Sequence, residues 1–165
     1  MTQTVKDTYY QVSYIVKDGK AYASGPYGER GLIEIMDSIG GYPVVGILAN
    51  AFAGCRSLTK VWIRHGVREI GAGAFRGCTQ LYELKIPASV NRIGEDAIPN
   101  IGPIRLEDPY SHAALSSDPW ARKQLGLYDP YYEPEYIDGY VTTVTVWPGS
   151  YAETYCREHN LKWKV

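Results

Sequence analysis

The sequence predicts a β-rich α/β solenoid: a short repeat array with a β-hairpin cap at its N-terminal end and a strand-helix cap at its C-terminal end. Three observations carry this. The phrase Ala-Phe-x-Gly-Cys-x-x-Leu occurs twice, starting at Ala51 and again at Ala74, a period of 23. A fixed period in the range of roughly 20–50 residues marks stacked units that bury their apolar faces against one another. Asp18-Gly19 separates two alternating runs, a strong hairpin signal. Ser150 stands three positions before Glu153, the spacing of a capping box that opens a helix.

The period extends well beyond the phrase. Its two copies are Ala51, Phe52, Gly54, Cys55, Leu58 and Ala74, Phe75, Gly77, Cys78, Leu81. The same spacing links Val44, Val67 and Val90, and it links Ile47, Ile70 and Ile93. It also relates Val61 to Leu84 and Ile63 to Ile86, and places Ala97 and Ile98 one period after Ala74 and Phe75, with Ile104 one period after Leu81.

These residues resemble the BspA-like leucine-rich repeat. The best copy runs Ile70, Gly71, Ala74, Phe75, Cys78, Leu81, Leu84, Ile86, Pro87, Val90, Ile93, Gly94. The lead-in from Gly40 to Phe52 is similar to segments that open such arrays, and the tail from Trp147 to Val165 is similar to their closing cap. The resemblance covers roughly residues 9–106 and 141–165. It departs at Ile98 and Ile101, where Phe and Cys are expected, and is absent from 107–140. It implies one domain over 1–165, with a hairpin cap and first strand in 9–40 and repeats in 41–106. An acidic, Tyr-rich insertion with a short helix follows in 107–140, and a C-terminal cap in 141–165. It further implies a binding module, since solenoids mostly present surfaces.

Taken in order, Tyr9 to Ser24 forms the hairpin, which would cover a sheet edge otherwise open to aggregation. Short strands are expected near 32–36, 58–63, 81–86 and 104–106, one per turn, with extended pieces around Val44, Val67 and Val90. Asp118-Pro119 opens a short helix through about Leu125. Val141 to Trp147 is the last long strand, a helix runs from Ser150 to about His159, and Leu161 to Val165 adds a terminal strand.

Composition narrows the function. At 165 residues and 45% apolar content the chain can bury a core, and a net charge of −1 gives no global basic field for nucleic acid. No apolar run approaches the roughly 18 residues of a membrane-spanning helix, so no membrane insertion is expected. Residues 1–8 are polar, so the chain as given shows no leader peptide: either a leader has been removed or the protein works inside a cell, with the cytoplasm slightly favoured over secretion. Three cysteines leave at least one thiol unpaired, and Cys55 and Cys78 share one repeat position as small buried fillers. Searches for phosphate loops, HExxH, paired CxxC and nucleophile–His–acid spacings find none. No catalytic residue, cofactor or metal is expected.

Strand alternation assigns faces. With Val61, Ile63, Leu84 and Ile86 inward, Lys60, Trp62, Glu83 and Lys85 face out, flanked by Leu32 and Glu34 on one side and Thr143 and Thr145 on the other. Trp62, with Lys85, is a candidate anchor because hot spots favour Trp; the alternative is that Trp62 packs against the Lys85 stem. The segment from Leu127 to Tyr140 holds five tyrosines and four acids. From Leu106 to Tyr140 there are seven acids and two bases, against eight bases and four acids from Arg56 to Arg105. Tyr-rich loops make low-entropy contacts. Tyr128, Tyr131, Tyr132, Glu133, Glu135 and Tyr136 are therefore candidates for docking a protein partner with a basic surface. The alternative is that these acids pair with Arg64, Arg68, Arg76 or Arg92. Lys60, Arg64, His65, Arg68, Arg76 and Arg92 could form a stripe, but Glu69, Glu83, Glu95 and Asp96 interrupt it, which argues against nucleic acid. Two functions remain open: an intracellular inhibitor or decoy, and a secreted or surface adhesin-like bacterial protein that binds host or matrix proteins.

Overall fold

The computed structural model describes residues 2–99 and 142–165. Two ladders of short strands enclose one core. The first sheet runs β1 (Gln3–Asp7), β2 (Val12–Lys17), β3 (Lys20–Pro26), β6 (Tyr42–Ile47), β8 (Glu69–Ile70), β10 (Arg92–Ile93), with β5 (Ser38–Ile39) attached to β6. The second runs β4 (Leu32–Ile35), β7 (Lys60–Ile63), β9 (Glu83–Lys85), β11 (Thr143–Thr145), β12 (Trp163–Lys164), every pairing parallel. From β6 to β10 consecutive strands alternate between the sheets, so each of these turns adds a rung to both.

The sequence period is the rung spacing. Ala21 pairs with Val44, Gly46 with Glu69, Glu69 with Arg92 and Lys60 with Glu83, each pair one period apart. The apolar repeat positions on the strands are buried: Val44, Val67 and Val90; Ile47, Ile70 and Ile93; Val61 and Leu84; Ile63 and Ile86. On the turn side Ala74 and Cys78 are buried, but Ala51 and Cys55 one period earlier are only half-buried, so Cys55 is not the fully buried filler expected. Phe52 and Phe75 stack with centroids 5.4 Å apart and planes at 12°, and Ile98 continues the buried position. The turns beside them bond to the next coil as strands do: Asn50, Phe52 and Gly54 donate N–H groups to Ala72, Ala74 and Arg76 at 2.7–2.9 Å. Cys78 donates its thiol to the Phe52 carbonyl at 3.0 Å, so the repeated cysteine is a packed donor. Gly71 and Gly94 are required by proximity: a Cβ on Gly71 would meet the backbone of Leu48 and Ala49, and one on Gly94 that of Gly71 and Ala72.

At the N-terminal end Asp18 (φ 52°) and Gly19 (φ 73°) form the two-residue hairpin turn between β2 and β3. Beyond it lies β1, a strand the sequence does not announce. Gln3, Thr4 and Lys6 are exposed, and an edge strand needs no apolar face. Tyr14 on β2 is fully buried, and its hydroxyl accepts the Met36 N–H at 3.3 Å just past β4. At the other end α1 (Tyr151–Glu158) packs against β10 through Ala152, Tyr155 and Cys156. Ser150 Oγ accepts the Glu153 N–H at 3.2 Å, while the Glu153 carboxylate accepts the N–H of Gly149, one position before the cap. Tyr155 donates to the Gly94 carbonyl at 3.2 Å. Burial pushes the Tyr14 phenol up to about 12 and raises that of Tyr155.

Two expectations change. The strand at 104–106 and the helix at 118–125 lie outside the described residues. The ladder position after β9, which the period assigned to 104–106, is held by β11, with Thr143 opposite Glu83. Repeat spacing could not reveal this, because the next rung does not begin until Thr143, far beyond one period. The long strand expected at 141–147 is Thr143–Thr145 alone, ending where Trp147-Pro148-Gly149 turns toward α1.

Candidate functional site on the second sheet

The second sheet presents two outward rows. One contains Leu32, Lys60, Glu83 and Thr143, the other Glu34, Trp62, Lys85, Thr145 and Lys164. Parallel pairing in this register brings residues one period apart into direct lateral contact, so the repeat makes rows of side chains.

Glu83 organises the centre. Its carboxylate accepts the Trp62 Nε1–H at 2.7 Å, and stands 3.5 Å from Lys85 Nζ and 3.9 Å from Lys60 Nζ. Lys85 Nζ lies 4.3 Å from the Trp62 ring centroid, and Lys60 Nζ lies 5.5 Å from that of Tyr82. Desolvation pushes the Glu83 carboxyl up, but the indole N–H and the two lysines outweigh it and hold it below the usual range. Glu34 repeats the pattern on the edge strand, accepting from Tyr10 at 2.7 Å and Arg64 at 2.5 Å. Desolvation again opposes these partners, and the net shift is downward.

Trp62 and Lys85 thus stand together on the outward face, Trp62 half-buried under the Lys85 ammonium. That contact is the packing alternative drawn from sequence, with the Lys85 side chain still 48% exposed. Tyr128, Tyr131, Tyr132, Glu133, Glu135 and Tyr136 lie outside the described residues. The basic stripe is corrected: its members divide among faces. Lys60 and Arg64 belong to the second sheet, Arg64 bound to Glu34; Arg76 pairs with Asp96 at 3.4 Å on the turn side; Arg68 and Arg92 lie on the first sheet. The coil bends between sheets, so equal spacing in sequence does not put these positions on one surface.

Sequence reasoning missed the groove at the C-terminal ends of these strands. It measures about 930 Å³ and is mostly apolar, lined by Ile63, His65, Lys85, Pro87, Ala88, Thr145 and Trp147 among others. Trp147 is 63% exposed, among the most exposed large apolar side chains described. The available signal was a tryptophan directly before Pro148-Gly149, where a strand must end. Among the described residues, no helix is long and apolar enough to cross a membrane.

Residues 45–108 match the BspA type leucine rich repeat region in six copies. No curated protein matches the chain. A crystal structure of a leucine rich repeat protein from T. pallidum is similar at 28% identity and TM-score 0.49, over 54% of this chain and 42% of that one. A leucine rich cell surface protein from Faecalibacterium prausnitzii is similar at 29% identity and TM-score 0.48, over 56% of this chain and 26% of that one. The chain therefore spans less than half of either structure. Residues 45–108 are thus similar to the BspA type leucine rich repeat region, and the strand pairs one period apart are the geometry that such a repeat requires.

Proposed function

We propose that this chain is a non-enzymatic protein-binding module, docking a partner through the outward face of the second sheet. The observation that carries the reading is the row Trp62–Lys85–Thr145, which leads directly into the apolar groove rimmed by exposed Trp147. A partner side chain inserted there would bury aromatic and proline surface beside charged groups already held in place. Such anchors dominate interface energetics. The hairpin and α1 serve as caps that keep the ladders from pairing with other chains. The acidic, Tyr-rich insertion supplies a second contact through Tyr128, Tyr131, Tyr132, Glu133, Glu135 and Tyr136. Its charge suits a basic partner surface, as an inhibitor or decoy occupying that surface would require.

The test is affinity capture with three forms of the chain: wild type, Trp62→Ala/Trp147→Ala, and residues 127–140 replaced by a Gly-Ser linker. A protein retained by wild type and lost with the double variant places the main contact on the sheet and groove. Loss only with the linker variant moves it to the insertion. Equal retention by all three forms would overturn the reading. The triple variant Tyr131→Ala/Tyr132→Ala/Tyr136→Ala is expected to weaken capture while leaving the melting temperature little changed.

A further inference from the structure

The first sheet carries an outward trough of a different character. It occupies about 850 Å³ and is floored by Pro43, Val45 and Gly66, with Lys20 and Tyr22 on one side and Arg68, Asn91 and Arg92 on the other. Its shape follows from the repeat. Between buried Val67 and Ile70 the chain turns Arg68 and Glu69 outward; between buried Val90 and Ile93 it turns Asn91 and Arg92 outward. One period earlier the same two places hold Val45 and Gly46, so the floor is low where the neighbouring turns are tall.

The cations around it lack the pairing seen at several others on the molecule. Lys60, Lys85, Arg64, Arg76 and Arg157 each have a carboxylate within 4 Å. Among the described residues Lys20, Arg68 and Arg92 have none, although all three are exposed. The nearest acid had the opportunity, because Glu69 sits directly opposite Arg92 in register. Instead its side chain lies over Gly46, where its Cγ would come within 2.8 Å of an added Cβ. Gly46 holds the acid aside and leaves the arginine forks open.

We propose that this trough binds an extended, acidic peptide segment of a protein partner. Arginine forks favour carboxylates in bidentate geometry. Rung spacing and rise place the Arg68 and Arg92 Cα atoms about 6 Å apart, close to the separation of alternate residues in an extended chain. Glu69 selects the occupant's class. A carboxylate inside the trough repels a uniformly charged polyanion such as nucleic acid, whereas a peptide offers backbone N–H and hydroxyl donors between its acids. This site is independent of the second sheet, so its failure and that of the proposed sheet-and-groove contact are distinguishable.

Fluorescence anisotropy with a fluorescein-labelled (Ser-Glu)7 peptide and the full chain tests it. Arg68→Ala/Arg92→Ala should weaken binding at least tenfold. Arg68→Lys/Arg92→Lys, which keeps charge and loses the fork, should weaken it about threefold. Glu69→Gln should tighten it, and Arg56→Ala, an exposed cation on the turn side, should leave it unchanged. The uncharged (Ser-Gln)7 peptide should not bind. Undiminished binding by the double alanine variant, or tighter binding of oligo(dT) of equal length, would overturn the assignment; so would the absence of any (Ser-Glu)7 binding.

Discussion

The Trp62–Glu83–Lys85 cluster makes a sharp energetic prediction. Trp62→Phe keeps an aromatic ring beneath Lys85 and removes only the indole N–H that reaches Glu83 at 2.7 Å. A hydrogen bond to a charged acceptor contributes about 1.5–3 kcal/mol. Glu83 retains both lysines and a side chain 23% exposed to water, so the lower end applies, about 1.5 kcal/mol. For a chain of this size that corresponds to a fall of roughly 3–6 °C in Tm. Paired with Glu83→Gln in a double-mutant cycle at pH 7, the coupling should be about 1 kcal/mol, measured from urea midpoints at constant m. Additivity within about 0.3 kcal/mol would refute the claim that the indole and the carboxylate form one unit.

Three further outcomes follow from the packing and the ionisations. Gly71→Ala should lower the urea midpoint by about 1–3 kcal/mol equivalent, because the added methyl meets the backbone of Leu48 and Ala49, which cannot swing aside. The Cys78 thiol, pushed up to about 12 by burial, should resist iodoacetamide at pH 8 in the folded chain and label fully in urea, read by mass spectrometry. Glu34 and Glu83 are held below their ordinary value of 4.5 in the folded state. Their contribution is therefore complete above that value and is lost as pH falls through the lower folded values. Urea midpoints should be flat from pH 7 to 5 and decline below, less steeply in Glu83→Gln.

What was legible in the sequence follows from what repeats. Phe52 and Phe75, or Val61 and Leu84, recur because each turn must bury the same position, so period and inward face could be read directly. Asp18-Gly19 and Ser150 were legible because turns and helix starts demand particular backbone chemistry. Strand β1 was not, since at an edge where Gln3, Thr4 and Lys6 stay exposed the single apolar contact of Val5 is too little to impose a pattern on Gln3–Asp7. Nor was the division of Arg64, Arg68, Arg76 and Arg92 among faces, which depends on how sharply the coil bends between sheets. The open state of Arg68 and Arg92 depends on Gly46 on a neighbouring turn, a lateral effect visible only once the register is known.

The interrupted turn gives a last quantitative test. Lys60 pairs with Glu83 one period on, whereas Glu83 pairs with Thr143, so this coil carries more than twice the chain of a regular turn yet closes into the same parallel ladder. Solenoid stability is a sum of local units and nearest-neighbour contacts, so a long connection costs chiefly loop-closure entropy. The path from Ile93 to Thr143 spans about 50 residues, and replacing 107–140 with a short Gly-Ser linker shortens it to about 20 residues; the logarithmic closure term then predicts a gain of about 1 kcal/mol. A binding insertion that adds nothing to the fold should therefore leave the urea midpoint unchanged or slightly raised on deletion. A loss of more than about 1 kcal/mol would mean that 107–140 contributes packing larger than its entropic cost. Its tyrosines and acids would then belong first to the fold, and the partner contact would rest on Trp62, Lys85 and Trp147.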